Sequence, residues 1–350
     1  MANITIIGAG MMGTGICTPL ADNGHTVRLV GTPKDEAIIH SLRSQRYHPK
    51  HQRRIPDGVQ PFDHTQIIEA LHGADVVISA VSSFGVEWFM QQVAPHLSAN
   101  APLVSLTKGL ALLPEGGLRT LPDEIEARLA PHLQGKLPLC AVSGPCIAQE
   151  LAARRQTFVV LCGRDEAVLQ RLQAWFATPY YHVKQSTDQV GEEVCAALKN
   201  TYAIAVNLAI GEYERCGADG IAHMFNPQAA LFARSLEELG RLVSLLGGDP
   251  RSAAGLSGAG DLFVTVFGGR NARLGRLLGS GQTYLQAREA LAGETLEGVE
   301  TLHRVAQGLA QLEQQGKARC ADYPLLMHLQ QVIAGGEAKP IDWMQLERWL

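Results

Sequence analysis

Apolar residues in the first half of the chain come in short β-branched runs separated by stretches of helical spacing. The runs are Asn3–Ile7, Thr26–Val30, Asp75–Val81, Leu103–Thr107, Leu137–Val142 and Thr157–Leu161. Between them, Met11–Asn23, Gln66–Leu71 and Gly85–Leu97 carry helical patterns. Strands apolar at consecutive positions are buried on both faces, and their alternation with helices predicts a parallel sheet covered by helices on both sides. After about Val190 the pattern changes. Helical periods follow over Val190–Arg215, Pro227–Leu246, Gly260–Val266, Tyr284–Leu291, Thr295–Gln315, Pro324–Ala334 and Ile341–Leu350, and strand signals nearly vanish. The expected architecture is α/β, a doubly wound parallel sheet over residues 1–188 followed by an all-helical domain over 189–350. The polar, basic segment Arg43–Asp57 is expected to be a loop between the second strand and the next helix.

Composition narrows the class. The 350 residues are 46% hydrophobic and 18% charged, ordinary for a globular protein of two domains. A formal net charge of -4 without any long basic stretch disfavours nucleic acid as a partner. The seven cysteines are odd in number and form no C-x-x-C pair, so neither a disulfide framework nor a metal site is expected. A reducing, cytoplasmic setting fits them. Neither a signal peptide before the first strand nor a membrane span is expected.

Gly8-Ala9-Gly10-Met11-Met12-Gly13 fits G-x-G-x-x-G, and it follows a strand and opens a helix. That context gives the motif its physical meaning. Gly8 permits the tight turn, Gly10 lets backbone approach a pyrophosphate, and Gly13 lets helix and strand pack closely. The helix N-terminus offers unpaired N–H groups and partial positive charge to phosphates. The expectation is a Rossmann-like domain binding NAD or NADP. The second strand runs out as Val30-Gly31-Thr32-Pro33-Lys34, with no acid placed for a ribose 2′-hydroxyl. NADP therefore stays open, with Lys34 as one candidate partner for its extra phosphate.

Lys199 and Asn200 interrupt the apolar helix Glu193–Ile210. The helical neighbours of Lys199 are Cys195, Ala196, Tyr202 and Ala203, none of which can neutralise an ammonium. A buried lysine of this kind suits general acid–base chemistry, whereas a partly exposed one would simply snorkel to water. Lys108 follows the run LVSLT and precedes Gly109, at the carboxyl end of a sheet strand, where open α/β sheets bind ligands. Gly144 and Cys146, in Ser143-Gly-Pro-Cys146, stand at the end of another strand. A glycine-rich stretch from Gly255 through Asp261 to Gly269-Arg270-Asn271 offers donors suited to phosphate, or else a flexible loop with a surface arginine.

Together and in this order, Gly8–Gly13, Leu106-Thr-Lys108-Gly-Leu110, Ser143-Gly-Pro-Cys-Ile-Ala148, Ala197-Leu-Lys-Asn200, Gly260-Asp-Leu262 and Gly269-Arg-Asn271 resemble the NAD(P)-dependent glycerol-3-phosphate dehydrogenases. The resemblance implies interconversion of sn-glycerol 3-phosphate and dihydroxyacetone phosphate by hydride transfer, within glycerol phosphate metabolism and phospholipid biosynthesis. It implies Lys199 as proton donor and acceptor, Lys108 against substrate, and Asp261 and Thr265 in support of the lysine network. Arg270 and Asn271 would hold substrate phosphate and cofactor. Asn200, Gly144 and Cys146 would line the substrate. Gly8, Gly10, Met11, Met12, Gly13, Lys108, Ala148, Arg270 and Glu297 would meet the cofactor. A homodimer is expected.

Three features depart from the family's usual pattern. Met12 stands where the glycine loop usually carries an aromatic residue. Cys146-Ile147 replaces a hydroxyl residue followed by Phe, and Gly211–Phe225 is longer than usual. They bear on the identity of the polyol phosphate more than on the reaction. A ketopantoate-reductase-like enzyme shares the two-domain plan but acts on a carboxylate, which the Gly-Gly-Arg-Asn loop with Lys108 disfavours. A dinucleotide sensor without turnover would need neither lysine, nor Asp261, nor the Arg-Asn pair.

Overall fold

A computed structural model describes residues 1–216, 224–335 and 341–344. In chain order its elements are β1 (Asn3–Ile7), α1 (Met11–Asp22), β2 (Thr26–Val30), α2 (Glu36–Gln45), β3 (Tyr47–His48), β4 (Arg53–Arg54), β5 (Val59–Phe62), α3 (Ile67–Leu71), β6 (Val76–Ser79), α4 (Val86–Gln92) and β7 (Leu103–Ser105). Then come β8 (Leu110–Leu112), β9 (Leu118–Thr120), α5 (Leu121–Arg128), β10 (Leu139–Ser143), α6 (Ala148–Ala152), β11 (Thr157–Gly163), α7 (Glu166–Phe176) and β12 (Tyr181–Ser186). The helices α8 (Gln189–Cys216), α9 (Phe225–Leu245), α10 (Asp261–Val266), α11 (Arg270–Gly279), α12 (Tyr284–Ala290), α13 (Glu297–Gln314) and α14 (Pro324–Ala334) follow. Most of the helix expected over Ile341–Leu350 lies outside the described residues.

The chain divides into two compact units, Met1–Lys108 with Leu121–Gln189, and Gly109–Thr120 with Val190–Leu350. The first is built on an eight-stranded sheet of order β12-β11-β10-β7-β6-β1-β2-β5. From β5 to β10 all pairings are parallel. The order reverses beside β1, which pairs β2 on one side and β6 on the other, and this is the position where such sheets bind ligands. One expectation needs correction: β11 runs antiparallel to β10, with β12 parallel to β11, so the last strands do not continue the parallel series. Hydrophobic spacing specifies burial but not strand direction, which the connection between strands decides.

Strand alternation feeds two cores, one on each face of the sheet. Ile4, Ile6, Val76 and Ile78 pack with Ile16 and Leu20 of α1, Ile39 of α2 and Leu172 of α7. Ile7, Val30 and Val77 face the other way, onto Ile67, Phe89 and Ile125 of α3, α4 and α5. The period of two along a strand thus supplies both faces at once.

The second unit gathers around α8, a long apolar helix that is mostly buried inside the protein. It is the core helix of a helical unit, as a helix apolar nearly all round requires. Small residues let its neighbours approach: a Cβ on Gly275 of α11 would lie 2.3 Å from the Ile204 carbonyl oxygen of α8. The hairpin β8–β9 belongs to this unit, bound through Arg304 of α13 to the Leu110 carbonyl at 3.3 Å.

Candidate active site

In the first unit the expected ligand-binding positions gather at the carboxyl edge of the parallel strands. The glycine loop leaves β1 with Gly8 at φ 113°, a conformation that L side chains rarely adopt. A Cβ there would also meet the Ala80 carbonyl oxygen at 2.7 Å, and one on Gly13 would meet the Gly8 carbonyl oxygen at 2.0 Å. Gly10 differs, since a Cβ there would meet nothing within 4 Å. It borders open space at the N-terminus of α1, which has no side-chain cap and no acid in its first turn. An uncapped helix start beside an open glycine fits a diphosphate approaching backbone N–H groups, so the residues present suit a dinucleotide.

Gly10→Ala is therefore expected to fold as the wild type does and to lose coenzyme affinity by about tenfold or more. Gly13→Ala is expected to lose folded stability as well, by about 2 kcal/mol or more, because backbone must move. Urea unfolding and a coenzyme titration of both variants separate the two effects; equal stability losses would contradict this account of Gly10.

The other first-unit candidates lie along the same edge. Lys108 follows β7 and is half-buried, and the neighbouring Thr107 hydroxyl donates to the Val81 carbonyl at 2.7 Å. Gly144 and Cys146 follow β10, with Gly144 at φ 105°. Ala148 opens α6 and lies against α1, where a Cβ on Gly15 would meet its carbonyl oxygen at 3.0 Å.

Two groups at the glycine loop escape a reading of sequence pattern. Asp35 lies five positions past the end of β2 and turns back. Its Oδ2 accepts from the Ala9 N–H at 3.2 Å, the Thr32 N–H at 2.9 Å and the Thr32 hydroxyl at 2.8 Å. The segment Arg43–Asp57, expected as a plain loop, finishes α2 and then forms the small antiparallel hairpin β3–β4. It carries His48 and His51, both buried, onto the loop carbonyls of Ala9 and Met11. Burial pushes both imidazoles below the usual histidine range, so they are neutral at neutral pH.

In the second unit, Lys199 projects from α8 and forms an ion pair with Asp261, the first residue of α10. The side chains are 12% and 2% exposed. The counter-charge that no helical neighbour of Lys199 supplies thus arrives from 62 residues further along the chain, from the aspartate that the resemblance assigns to the lysine network. The Thr265 hydroxyl, on the next turn, donates to the Asp261 carbonyl at 2.6 Å, so it braces the aspartate's backbone. Asn200, beside Lys199, is half-buried.

Arg270 and Asn271 open α11 after Gly269, which sits at φ 92°. Arg270 is exposed, and no carboxylate binds it among the described residues. Asn271 is buried, and its Oδ1 accepts from the Gly298 N–H at 3.2 Å. Thr201 of α8 donates to the Gly298 carbonyl at 2.8 Å. Gly298 thus ties α8 and α11 to the start of α13, where Glu297 stands. No cluster of potential metal ligands occurs among the described residues.

An open glycine cradle at a sheet's switch point, together with a lysine–carboxylate pair and an exposed arginine at a helix start, defines the class as a nicotinamide-dependent oxidoreductase of two units. The profile of the NAD-dependent glycerol-3-phosphate dehydrogenase N-terminus matches residues 3–169, and that of the C-terminus matches residues 188–345. The chain belongs to the NAD-dependent glycerol-3-phosphate dehydrogenase family.

It is 36% identical over 304 residues to the NADP(+)-dependent glycerol-3-phosphate dehydrogenase of Archaeoglobus fulgidus, covering 86% of this chain and 88% of that one. It is 36% identical over 307 residues to the glycerol-3-phosphate dehydrogenase [NAD(P)+] of Streptomyces griseus, covering 86% and 84%. The crystal structure of glycerol-3-phosphate dehydrogenase from Coxiella burnetii superposes with a TM-score of 0.78 at 27% identity, covering 99% of this chain and 98% of that one.

Proposed function

We propose that this protein interconverts sn-glycerol 3-phosphate and dihydroxyacetone phosphate with NAD or NADP. The observation that carries the reading is the Lys199–Asp261 pair, an ammonium held by a nearly buried carboxylate in a family whose chemistry needs a proton moved at a carbonyl oxygen. The nicotinamide supplies and accepts the hydride, and the residues of this chain position, bind and move the proton. Lys199 gives its proton to the developing alkoxide in reduction and takes it back in oxidation. Asp261 balances the ammonium and aims it. Lys108, Gly144, Cys146 and Asn200 contact the substrate. Arg270 and Asn271 bind the phosphate, the arginine through its planar fork. Ala148, Arg270, Lys108 and Glu297 contact the coenzyme beside Gly8–Gly13. A cytoplasmic homodimer acting on a small phosphorylated substrate is the setting this proposal carries.

The test is a substrate panel followed by NAD(P)H absorbance: dihydroxyacetone phosphate, longer ketose phosphates and ketopantoate, each with NADH and NADPH. Oxidation with dihydroxyacetone phosphate supports the reading, and oxidation only with ketopantoate reverses it. Arg270→Ala is expected to raise KM for the phosphorylated substrate by about 10²-fold, the scale of a lost charge-assisted pair. Arg270→Lys is expected to restore only part of that, because an ammonium lacks the bidentate fork. An unchanged KM in Arg270→Ala would remove this residue from the phosphate site.

A further inference from the structure

The hairpin β3–β4 places two imidazoles on the main chain of the glycine loop, and the pattern of their bonds fixes every ring nitrogen but one. His48 Nδ1 accepts from the His51 N–H at 3.1 Å, so the proton of this neutral ring sits on Nε2. That Nε2–H donates to the Ala9 carbonyl at 3.1 Å. His51 Nε2 lies 2.7 Å from the Met11 carbonyl, an oxygen that can only accept, so Nε2 carries the proton there as well. The remaining nitrogen, His51 Nδ1, is buried and has no partner among the described residues. The rings meet edge to face with centroids 4.7 Å apart, and the side chains are 0% and 6% exposed.

The hairpin that carries them is itself tied down. Ser41 donates to the Tyr47 carbonyl at 2.8 Å, and Ile55 N–H to the Arg46 carbonyl at 2.8 Å. Arg46 also donates to the Val59 carbonyl at 3.2 Å.

The carbonyls gripped are the informative part. A trans peptide unit is planar, and its C=O and N–H point in opposite directions. Fixing the Ala9 carbonyl therefore fixes the direction of the Gly10 N–H, and fixing the Met11 carbonyl fixes that of the Met12 N–H. Both N–H groups belong to the uncapped start of α1, beside Gly10, where a Cβ would meet nothing within 4 Å. Ala9 is held at its other end too, since its own N–H goes to Asp35 and its carbonyl also accepts from the Thr14 hydroxyl at 3.2 Å.

We propose that His48 and His51 form a clasp that presets the Gly10 and Met12 peptide planes for the coenzyme diphosphate, making them positioning residues for coenzyme affinity in this chain. The proposal rests on the coenzyme reading of the glycine loop. The clasp touches backbone carbonyls on the far side of those peptide planes, so its effect belongs to binding and not to proton or hydride transfer. Preorganised donors bind more tightly because the ordering cost is met before the ligand arrives.

The test uses side chains that keep or delete one ring nitrogen at a time in the full chain. Glutamine places an N–H donor near the Nε2 position, whereas asparagine does not reach it. His51→Asn, and His48→Asn with its acceptor retained near Nδ1, are each expected to raise the Kd for NADH and NADPH by about tenfold in a fluorescence titration. Turnover at saturating coenzyme is expected to stay within about twofold, so the change falls on coenzyme KM. His51→Gln is expected to bind within about threefold of the wild type. The asparagine variants vacate buried ring volume and leave a buried carbonyl without its donor, so without coenzyme they should unfold a few degrees below the wild type, and all titrations are made at a temperature where every variant is folded.

Wild-type affinity in both asparagine variants overturns the proposal. So does a His51→Gln variant as weak as His51→Asn, which would make the ring a packing element. Failure of the wild type to bind either coenzyme would instead sink the coenzyme reading, and the clasp with it, so the two failures are distinct.

Discussion

Lys199→Ala should lower kcat by about 10²- to 10⁴-fold while leaving coenzyme affinity near that of the wild type. The magnitude is that of a positioned general acid–base group, and the split follows from where the residue sits. Lys199 and Asp261 belong to the second unit, whereas the glycine cradle belongs to the first. Alanine also removes the ammonium facing the Asp261 carboxylate, which is 2% exposed, so a loss of stability is expected alongside. Lys199→Arg separates the two effects. It keeps a cation facing Asp261, but a guanidinium does not release its proton near neutral pH. Turnover in Lys199→Arg should therefore stay within about tenfold of the alanine variant, although urea unfolding returns towards the wild-type midpoint. Near-normal kcat in the arginine variant would show that the cation polarises the carbonyl without transferring a proton, and near-normal kcat in Lys199→Ala would end the assignment altogether.

The reason Lys199 stands out in the helical pattern, while its partner enters only through the family resemblance, is physical. A helix apolar on all sides advertises any charge within it, because burial requires an explanation for that charge. Helical spacing reveals only neighbours three and four residues away, and Asp261 reaches Lys199 through the packing of α10 on α8. The first unit shows the same division. β2 begins and ends where its run of β-branched residues does, and α1 opens at Met11 as the glycine motif requires.

Elements half-covered or at an edge were harder to see. β5 carries Pro61, which argues against a central strand, and it is indeed the edge of the sheet beyond β2. α2 presents only Ile38, Ile39 and Leu42 to the core, and its polar remainder merges with the basic stretch that follows. β8–β9 are three residues each, too short for a period to register. His48 and His51 were hidden for a related reason. Polar residues in a basic run look solvated until the hairpin folds them onto the glycine loop, and that contact depends on tertiary structure alone.

The largest stability effect should come from Glu238→Ala, at about 3–5 kcal/mol. Glu238 is fully buried in the second unit and its carboxylate collects four donors. Arg234 Nε approaches at 3.1 Å and the Tyr202 hydroxyl at 3.2 Å. The N–H groups of Leu325 and Leu326 approach at 2.7 and 3.0 Å. The last two belong to the first turn of α14, so the glutamate caps that helix from α9 while holding α8 through Tyr202. Burial pushes its carboxyl above the usual range, against the pull of those N–H groups and of Arg234.

Removing it takes one of two carboxylates from the Arg234 guanidinium, which is only 2% exposed and keeps Glu237 at 2.9 Å, and leaves two helix N–H groups and a phenol without their acceptor. Glu238→Gln keeps an acceptor and the volume, and should cost about 1–3 kcal/mol. The midpoint of urea unfolding reads both, and a shift of less than about 1 kcal/mol in the alanine variant would mean that the network contributes little. The consequence reaches the chemistry, because Tyr202 lies one turn beyond Lys199 on α8. If Tyr202 helps fix the rotation of that helix, Glu238→Gln should also lower kcat by a few-fold at temperatures where the protein remains folded, and coenzyme affinity, carried by groups that Glu238 does not touch, should not change.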